Sequence, residues 1–207
     1  MEISNLQYIV DDPELVGIAV GRGVQWVQLR VKDKPYAEWK QLALATQAAC
    51  GERATFIIND NPQLALEVGA DGVHLGQQDM PPAEARALLG SDFIIGGTAN
   101  TFADIERLVA AGVNYIGLGP FRFTTTKKDL SPVLGLAGYT ELLAQCRVAG
   151  FTVPIVGIGG ILLDDVAPLM ATGLHGVAVS KGISAVKSRT KNVWDFVSRV
   201  NNPTLKS

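Results

Sequence analysis

Residues 112–119 read Gly-Val-Asn-Tyr-Ile-Gly-Leu-Gly, and three further stretches of the chain follow the same plan. They read Gly-Val-Gln-Trp-Val-Gln-Leu-Arg at 23–30, Gly-Ala-Asp-Gly-Val-His-Leu-Gly at 69–76 and Gly-Leu-His-Gly-Val-Ala-Val-Ser at 173–180. Each begins with a glycine that follows a helical pattern, where a left-handed helix end favours a residue without a Cβ. Because an apolar, strand-like run comes next, the repeat predicts four copies of a helix, a glycine turn and a buried strand.

Four more apolar runs lie between these copies, which gives eight predicted strands separated by amphipathic segments. The predicted strands are 7–10, 26–30, 55–58, 72–75, 93–96, 115–118, 155–158 and 176–179. Eight βα units in 207 residues predict an α/β protein with one (β/α)8 TIM barrel over 1–207 and a frayed tail at 203–207. A doubly wound open sheet is the alternative, but it requires neither eight units nor a glycine before every second strand.

Helix-start signals fall between the predicted strands. Pro35 is expected to open a helix that runs to about Ala49. Thr101 is expected to cap the helix that ends before Gly112, and Asp164 to cap a later one.

Composition and charge narrow the functional class. A hydrophobic fraction of 47%, a formal net charge of -2 and a pI near 5.7 argue against a nucleic-acid-binding or membrane protein. Cys50 and Cys146 are expected to be buried, reduced thiols, and neither lies near a histidine at metal-binding spacing. We therefore expect a cytoplasmic protein, with the choice between monomer and homo-oligomer left open.

In a TIM barrel, the residues that follow the carboxyl ends of the strands meet at one mouth. After the second strand, Gln28, Arg30 and Lys32 alternate with apolar residues and share one face. A guanidinium on that face needs an anionic partner, so we interpret Arg30 as an anion ligand. Lys32 alternatively begins a solvated loop.

Carboxylates follow the third and fourth strands. Asn59 and Asp60 come after one, and Asp79 after the other. Neighbouring strands lie about 5 Å apart, so the two aspartates could share one cation. Two carboxylates with room for water and phosphate oxygens suit Mg2+. An equally good interpretation of Asp60 on its own is a helix N-cap.

Hydroxyls, glycines and lysines follow the remaining strands. Thr98 follows the fifth strand, and a long loop over 119–134 that follows the sixth carries Thr124, Thr126 and Lys127. A Thr/Lys cluster of this kind is also common in solvated turns. Loops after strands seven and eight form the usual phosphate site of this fold. Here they supply backbone and side-chain donors at Gly157, Gly159, Gly160, Ser180 and Lys181.

Taken together, these motifs resemble those of the thiamine phosphate synthase family. The resemblance rests on Gln-x-Arg-x-Lys at 28–32, Asn-Asp at 59–60, Asp-Gly-Val-His-Leu-Gly-Gln-Gln-Asp at 71–79, Gly-Leu-Gly-Pro at 117–120, Thr-x-Thr-Lys-Lys-Asp at 124–129 and Val-Gly-Ile-Gly-Gly at 156–160. It implies a Mg2+-dependent transferase that joins hydroxymethylpyrimidine diphosphate to thiazole phosphate. The implied products are thiamine phosphate and diphosphate, through a dissociative step.

The resemblance also implies a role for each matching residue. Asp60 and Asp79 would hold Mg2+, and Gln28 and Thr98 would position the pyrimidine. The diphosphate would be held by Arg30, Lys32, Asn59 and Lys127. The thiazole phosphate would be held by Thr124, Thr126 and the glycines after strand seven.

Two positions depart from the family pattern. Thr98 stands where the family commonly has serine, which keeps the hydroxyl and adds a methyl group. Ser180 and Lys181 replace an apolar-Ser pair, so the Ser180 hydroxyl or the Lys181 backbone N–H would take over the phosphate contact.

Two other functions compete with the synthase. A thiazole tautomerase on a similar barrel would carry a catalytic histidine after strand six, where this chain reads Gly-Pro-Phe-Arg-Phe at 119–123. A noncatalytic sensor of phosphorylated metabolites would need neither both aspartates nor Lys127.

Overall fold

The computed structural model describes residues 3–123, 132–184 and 189–202. Eight parallel strands form a closed barrel in sequence order, and β1 pairs with β8 to close it. The strands are β1 Leu6–Val10, β2 Trp26–Leu29, β3 Thr55–Asn59, β4 Gly72–Leu75, β5 Ile94–Ala99, β6 Tyr115–Leu118, β7 Ile155–Ile158 and β8 Gly176–Val179. Closure confirms the predicted TIM barrel and rules out the open, doubly wound sheet, whose edge strands would stay unpaired.

All eight predicted strands are present, and most differ from the prediction by a residue or less at either end. The largest difference is in β5, which continues three residues beyond the predicted end. It does so because Thr98 pairs with Gly117, and Ala99 pairs with Leu118, in β6. Thr98 therefore lies on a strand, where its position is set by the sheet.

Helices surround the barrel on its outer face. In the described residues they are α1 Glu14–Gly21, α2 Tyr36–Cys50, α3 Pro62–Val68, α4 Pro82–Leu89, α5 Phe102–Ala110, α6 Gly135–Val148, α7 Val166–Ala171, α8 Lys181–Ser184 and α9 Arg189–Asn201. No helix in this part of the chain is long and apolar enough to span a bilayer.

The predicted caps can be compared with the helix ends directly. Thr101 caps α5 as expected, in a reciprocal capping box with Asp104. The cap assigned to Asp164 is wrong, because Asp165 occupies the N-cap position of α7. The Asp165 carboxylate accepts a hydrogen bond from the backbone N–H of Leu162 at 2.8 Å, so it organises the turn before the helix.

Apolar residues are buried in two layers. The larger core lies between the sheet and the helices, where both cysteines are buried as free thiols. A smaller cluster fills the barrel interior and consists of Ile9, Trp26, Ile57, Ile94, Tyr115, Val156 and Ala178. Apolar side chains thus fill part of the barrel interior, next to the polar side chains described below.

Some glycines are required by close backbone contact inside this architecture. A Cβ on Gly176 at the start of β8 would collide with the backbone of Asn5, which precedes β1. By contrast, a Cβ on the exposed Gly17 in α1 would meet no atom within 4 Å. An added methyl group would therefore collide with backbone at Gly176 but would be accommodated at Gly17.

We predict that Gly176→Ala lowers the free energy of unfolding by about 2 kcal/mol or more, because the collision is with backbone that cannot rotate away. The matched substitution Gly17→Ala should raise it by roughly 0.5–1 kcal/mol, because alanine favours the helix. Urea denaturation monitored by circular dichroism measures both. Equal effects of the two substitutions would contradict the strand register at the closure of the barrel.

Candidate active site

The anion-binding residues predicted after β2 lie at the mouth of the barrel. Gln28 is 1% exposed and faces the interior, whereas Arg30 is half-buried just beyond the strand and Lys32 is exposed. Burial lowers the pKa of Arg30, and the negative charge of Asp60 opposes that shift. The guanidinium and the Asp60 carboxylate are therefore close enough to interact, although they are 30 residues apart in the sequence.

Asp60 has an unusual backbone conformation directly after β3. Its φ is +65°, a left-handed value that residues with a side chain seldom adopt. Its backbone N–H donates to the carbonyl oxygen of His74 at 2.8 Å, which ties it to β4. The cap of α3 is provided by Asn61, whose side chain accepts from Leu64 N at 2.9 Å. Asp60 is thus not the helix cap, which removes the structural alternative left open by the sequence.

Asp79 closes the turn that follows β4. One of its carboxylate oxygens accepts from the backbone N–H of Gly76 at 2.6 Å. Since β3 and β4 are hydrogen-bonded neighbours, Asp60 and Asp79 follow adjacent strand ends, with Asn59 paired to His74 between them. No group of three or more acidic, histidine or cysteine ligands occurs in the described residues. A cation here would have to complete its coordination with water or ligand oxygens.

A chain of buried polar side chains crosses the barrel interior beside these residues. Gln28 Nε2 donates to Gln7 Oε1 at 3.2 Å, and Gln7 Nε2 donates to the hydroxyl of Tyr115 at 3.2 Å. The same hydroxyl lies 3.0 Å from His74 Nδ1, and His74 Nε2 lies 2.9 Å from Thr98 Oγ1. Gln28 and Thr98, on β2 and β5, are thereby connected through three intervening side chains.

Two glycines make room for the rings in this chain. A Cβ on Gly96 would collide with the ring and hydroxyl of Tyr115, and a Cβ on Gly117 would lie 3.1 Å from His74 Cε1. Trp26 packs edge-on against Tyr115, with ring centroids 4.7 Å apart. Full burial raises the pKa of Tyr115. The phenol is therefore neutral and can act as both donor and acceptor.

The predicted phosphate-binding glycines have two different environments. Gly157 lies within β7, and a Cβ there would contact Leu174 and Tyr139, so its small size serves helix packing. Gly159 and Gly160 form the turn beyond the strand, with φ values of +97° and +69°. Of the three, the two turn glycines have the geometry expected of a backbone anion site.

Arg122 holds this glycine turn in place. Its backbone N–H donates to the carbonyl oxygen of Gly159 at 3.0 Å, and its Nη1 donates to that of Gly160 at 2.7 Å. The guanidinium also forms a two-point ion pair with Asp165, at 2.6 and 2.9 Å. The loop after β6 and the turn after β7 are therefore joined through carbonyl groups.

The two ends of the loop after β6 are also fixed. The side-chain amide of Asn100 donates to the carbonyl oxygens of Gly119 and Pro132, both at 2.9 Å. Asn100 is 6% exposed, and its contact with Gly119 is buried. The predicted ligands between these ends lie outside the described residues; they are Thr124, Thr126 and Lys127.

Ser180 and Lys181 lie at the carboxyl end of β8. The carbonyl oxygen of Ser180 accepts from the N–H groups of Ile183 and Ser184, so Ser180 precedes the first turn of α8. Lys181 is the first residue of that helix and is exposed. Both residues stand next to the glycine turn, because β7 and β8 are paired.

Several residues that shape the site carried no predicted role. Gln7, His74 and Tyr115 belong to the interior chain, and Arg122 and Asn100 hold the loops. Polar side chains at inward positions of otherwise apolar strands would have been the signal for the first three. No local pattern marks Arg122 or Asn100, because their partners lie far away in the sequence.

The sequence profile of the Thiamine monophosphate synthase family matches residues 4–183. The chain belongs to this family. The Thiamine-phosphate synthase of Phocaeicola vulgatus is 53% identical over 183 residues, which cover 86% of this chain and 88% of that protein. That of Flavobacterium psychrophilum is 46% identical over 205 residues, covering 96% and 98%. The match to the thiamine monophosphate synthase family confirms the resemblance found in the motifs.

A solved structure supports the same relationship. The thiamine phosphate pyrophosphorylase of Pyrococcus furiosus superposes with a TM-score of 0.85 at 27% identity, and 97% of each chain is covered. The barrel of this thiamine monophosphate synthase family member is thus shared over its whole length with a protein of much lower sequence identity.

The left-handed backbone of Asp60 leads to a stability prediction. Asp60→Gly should be more stable than Asp60→Ala by about 1 kcal/mol, because only glycine adopts this conformation without steric cost. Both substitutions remove the carboxylate, so the comparison isolates the backbone. Urea unfolding gives the difference, and an alanine variant as stable as the glycine variant would contradict the strain at this position.

Proposed function

We propose that this chain joins 4-amino-2-methyl-5-hydroxymethylpyrimidine diphosphate to 4-methyl-5-(2-phosphoethyl)thiazole, giving thiamine phosphate and diphosphate. Family membership over most of the chain supports this transferase activity. The observation that carries the proposal is the half-buried Arg30 beside Asp60, with Asp79 following the next strand. A guanidinium flanked by carboxylates at a barrel mouth suits a diphosphate that is bound together with a metal ion.

The residues present fit Mg2+. The two carboxylates of Asp60 and Asp79 follow adjacent strands, and the 5%-exposed Asn59 is the last residue of β3, directly before Asp60. Mg2+ prefers such oxygen donors and usually keeps several waters and substrate phosphate oxygens. We therefore assign Asp60 and Asp79 as its ligands. When bound, Mg2+ supplies charge stabilisation to the departing diphosphate.

The side chains at the same end would assist departure of diphosphate. In the proposed step, the bond between the pyrimidine methylene carbon and the diphosphate oxygen breaks, and the electron pair leaves with diphosphate. Arg30, Lys32, Asn59 and Lys127 would bind the developing charge. The thiazole nitrogen then donates its lone pair to the carbocation and forms the new C–N bond. No proton has to be moved, so charge stabilisation and positioning suffice.

The thiazole phosphate would bind on the opposite side of the mouth. Gly159 and Gly160 provide a turn with left-handed backbone, and Arg122 fixes its carbonyl groups. The Ser180 hydroxyl or the Lys181 backbone N–H would add a donor from β8, while Thr124 and Thr126 would approach from the loop after β6. Gln28 and Thr98 would hold the pyrimidine between the two phosphate sites.

The positions of the two histidines argue against the tautomerase alternative. His74 lies inside the barrel, and His175 precedes β8 at the amino end, where its Nε2 meets the carbonyl oxygen of Ile3. Neither lies in the loop after β6.

A noncatalytic sensor is distinguished from the synthase by turnover. The cytoplasmic location and the oligomeric state stay predictions.

We predict that the purified protein forms thiamine phosphate from both substrates only when Mg2+ is present. Asp60→Asn and Asp79→Asn should each reduce turnover by roughly 100-fold or more, because each removes a carboxylate from the metal site. Binding of thiazole phosphate, measured by calorimetry, should change far less than turnover. Asparagine is chosen at position 60 because it tolerates a left-handed backbone.

Asp92→Asn is the matched control, since this exposed aspartate precedes β5 at the opposite end of the barrel. It should keep full turnover. Equal rates with and without Mg2+ would refute the metal assignment. Binding of both substrates without any product would instead favour the sensor.

A further inference from the structure

The polar chain inside the barrel determines more than the positions of Gln28 and Thr98. The two ends of this polar chain are Gln28 and Thr98, the residues proposed to hold the pyrimidine. The inference therefore rests on the proposed function and refines it. The three inner members are Gln7, Tyr115 and His74. Their exposures are 1%, 0% and 5%, so water does not compete for their hydrogen bonds.

At the Gln28 end of this polar chain, the donor and the acceptor of each hydrogen bond are defined. Gln28 Nε2 donates to Gln7 Oε1, and Gln7 Nε2 donates to the Tyr115 oxygen. Gln28 therefore uses an amide hydrogen for Gln7. Its Oε1 remains as a hydrogen-bond acceptor for a ligand.

The same direction of hydrogen-bond donation continues from the Tyr115 hydroxyl to the His74 imidazole. A phenolic hydroxyl has one hydrogen and can accept from other donors. Because the Tyr115 oxygen accepts from Gln7, its own hydrogen is directed to the other hydrogen-bond neighbour, His74 Nδ1, at 3.0 Å. An imidazole that accepts at Nδ1 carries its hydrogen on Nε2 when neutral. That hydrogen is donated to Thr98 Oγ1 at 2.9 Å.

The far end of the chain is then a donor. Thr98 accepts from His74, so its own hydroxyl hydrogen remains to be given to a ligand. The mouth therefore presents an acceptor at Gln28 and a donor at Thr98. A 4-aminopyrimidine has the complementary groups, namely an amino group that donates and ring nitrogens that accept. A 4-oxopyrimidine has a carbonyl in place of the amino group and an N–H on the ring.

We propose that Tyr115 and His74 are positioning residues that fix the hydrogen-bond polarity of Gln28 and Thr98, and thereby select an aminopyrimidine over its oxo analogue. Reversing the polarity would require both glutamine amides, the phenol and the imidazole tautomer to change together. A single mismatch among buried groups leaves a donor or acceptor without a partner, which is costly. Selection would thus depend on side chains that need not touch the substrate.

The test compares the 4-amino and 4-oxo pyrimidine diphosphates as ligands and as substrates, in the presence of Mg2+. The wild-type protein should bind the amino compound roughly 10- to 100-fold more tightly, because the oxo compound opposes acceptor to acceptor at Gln28. Tyr115→Phe keeps the ring packing against Trp26 but removes the hydroxyl. It should reduce this preference by about tenfold, with little change in the KM for thiazole phosphate.

Tyr139→Phe is the matched control. Tyr139 is equally buried, but its hydroxyl donates to the carbonyl oxygen of Leu118 outside the interior chain. It should leave the amino-to-oxo ratio unchanged whatever it does to stability. A purely structural role for Tyr115 would lower activity with both pyrimidines by the same factor.

The proposal is overturned if the wild-type protein binds the two pyrimidines equally or prefers the oxo compound, a result that requires no variant to fold. It is also overturned if Tyr115→Phe keeps the wild-type ratio. A wild-type protein that binds the amino compound preferentially but forms no thiamine phosphate would refute the proposed activity while supporting the polarity assignment.

Discussion

A polar group enclosed by a barrel must find its hydrogen-bond partners among the other side chains inside. In this protein, the hydroxyl of Tyr115 meets that requirement by contacting Gln7 and His74. These contacts link strands β1, β4 and β6 through a single oxygen atom, and Gln7 extends the link to Gln28 on β2. Gly96 is needed because its Cβ would occupy the place of the ring. The buried polar side chains are therefore as tightly constrained by their neighbours as the apolar ones beside them.

The residues at the carboxyl ends of the strands form a site with two halves next to these buried side chains. On one side, Arg30 and Asp60 approach each other, and the left-handed backbone of Asp60 is held by a hydrogen bond to the carbonyl oxygen of His74. Strain at a residue that caps no helix is consistent with a functional role. On the other side, Arg122 holds the carbonyls of the glycine turn. His74 belongs to the first half and also to the interior chain, so the proposed diphosphate and pyrimidine subsites share one support.

The barrel could be predicted from the sequence because its signals are local. A glycine before every second strand and an apolar run after it depend only on neighbouring residues, so the strand positions were largely correct. The extra length of β5 was missed because Thr98 continues the strand only through its pairing with β6. Asp164 was chosen as a cap from spacing alone, whereas the turn is set by Asp165 and its distant partner Arg122.

Motifs at the strand ends identified the candidate ligands because a barrel collects those ends at one mouth. The interior chain was not predicted, since it depends on which inward residues meet at the same height. His74 illustrates the difference, because it lies within a motif that pointed to the family while its partners, Tyr115 and Thr98, come from two other strands. Hydrogen-bond polarity, in turn, emerges only when the whole chain of contacts is considered.

The most direct test of this account is to determine the tautomer of His74 by nitrogen-15 NMR of histidine-labelled protein at neutral pH. The interior chain predicts a neutral ring with its hydrogen on Nε2 and an unprotonated Nδ1 that accepts from Tyr115. Tyr115→Phe, in which that donor is absent, should change the Nδ1 resonance. A neutral ring with its hydrogen on Nδ1 would contradict the account, because Nε2 would then accept from Thr98 and leave that hydroxyl no hydrogen for a ligand.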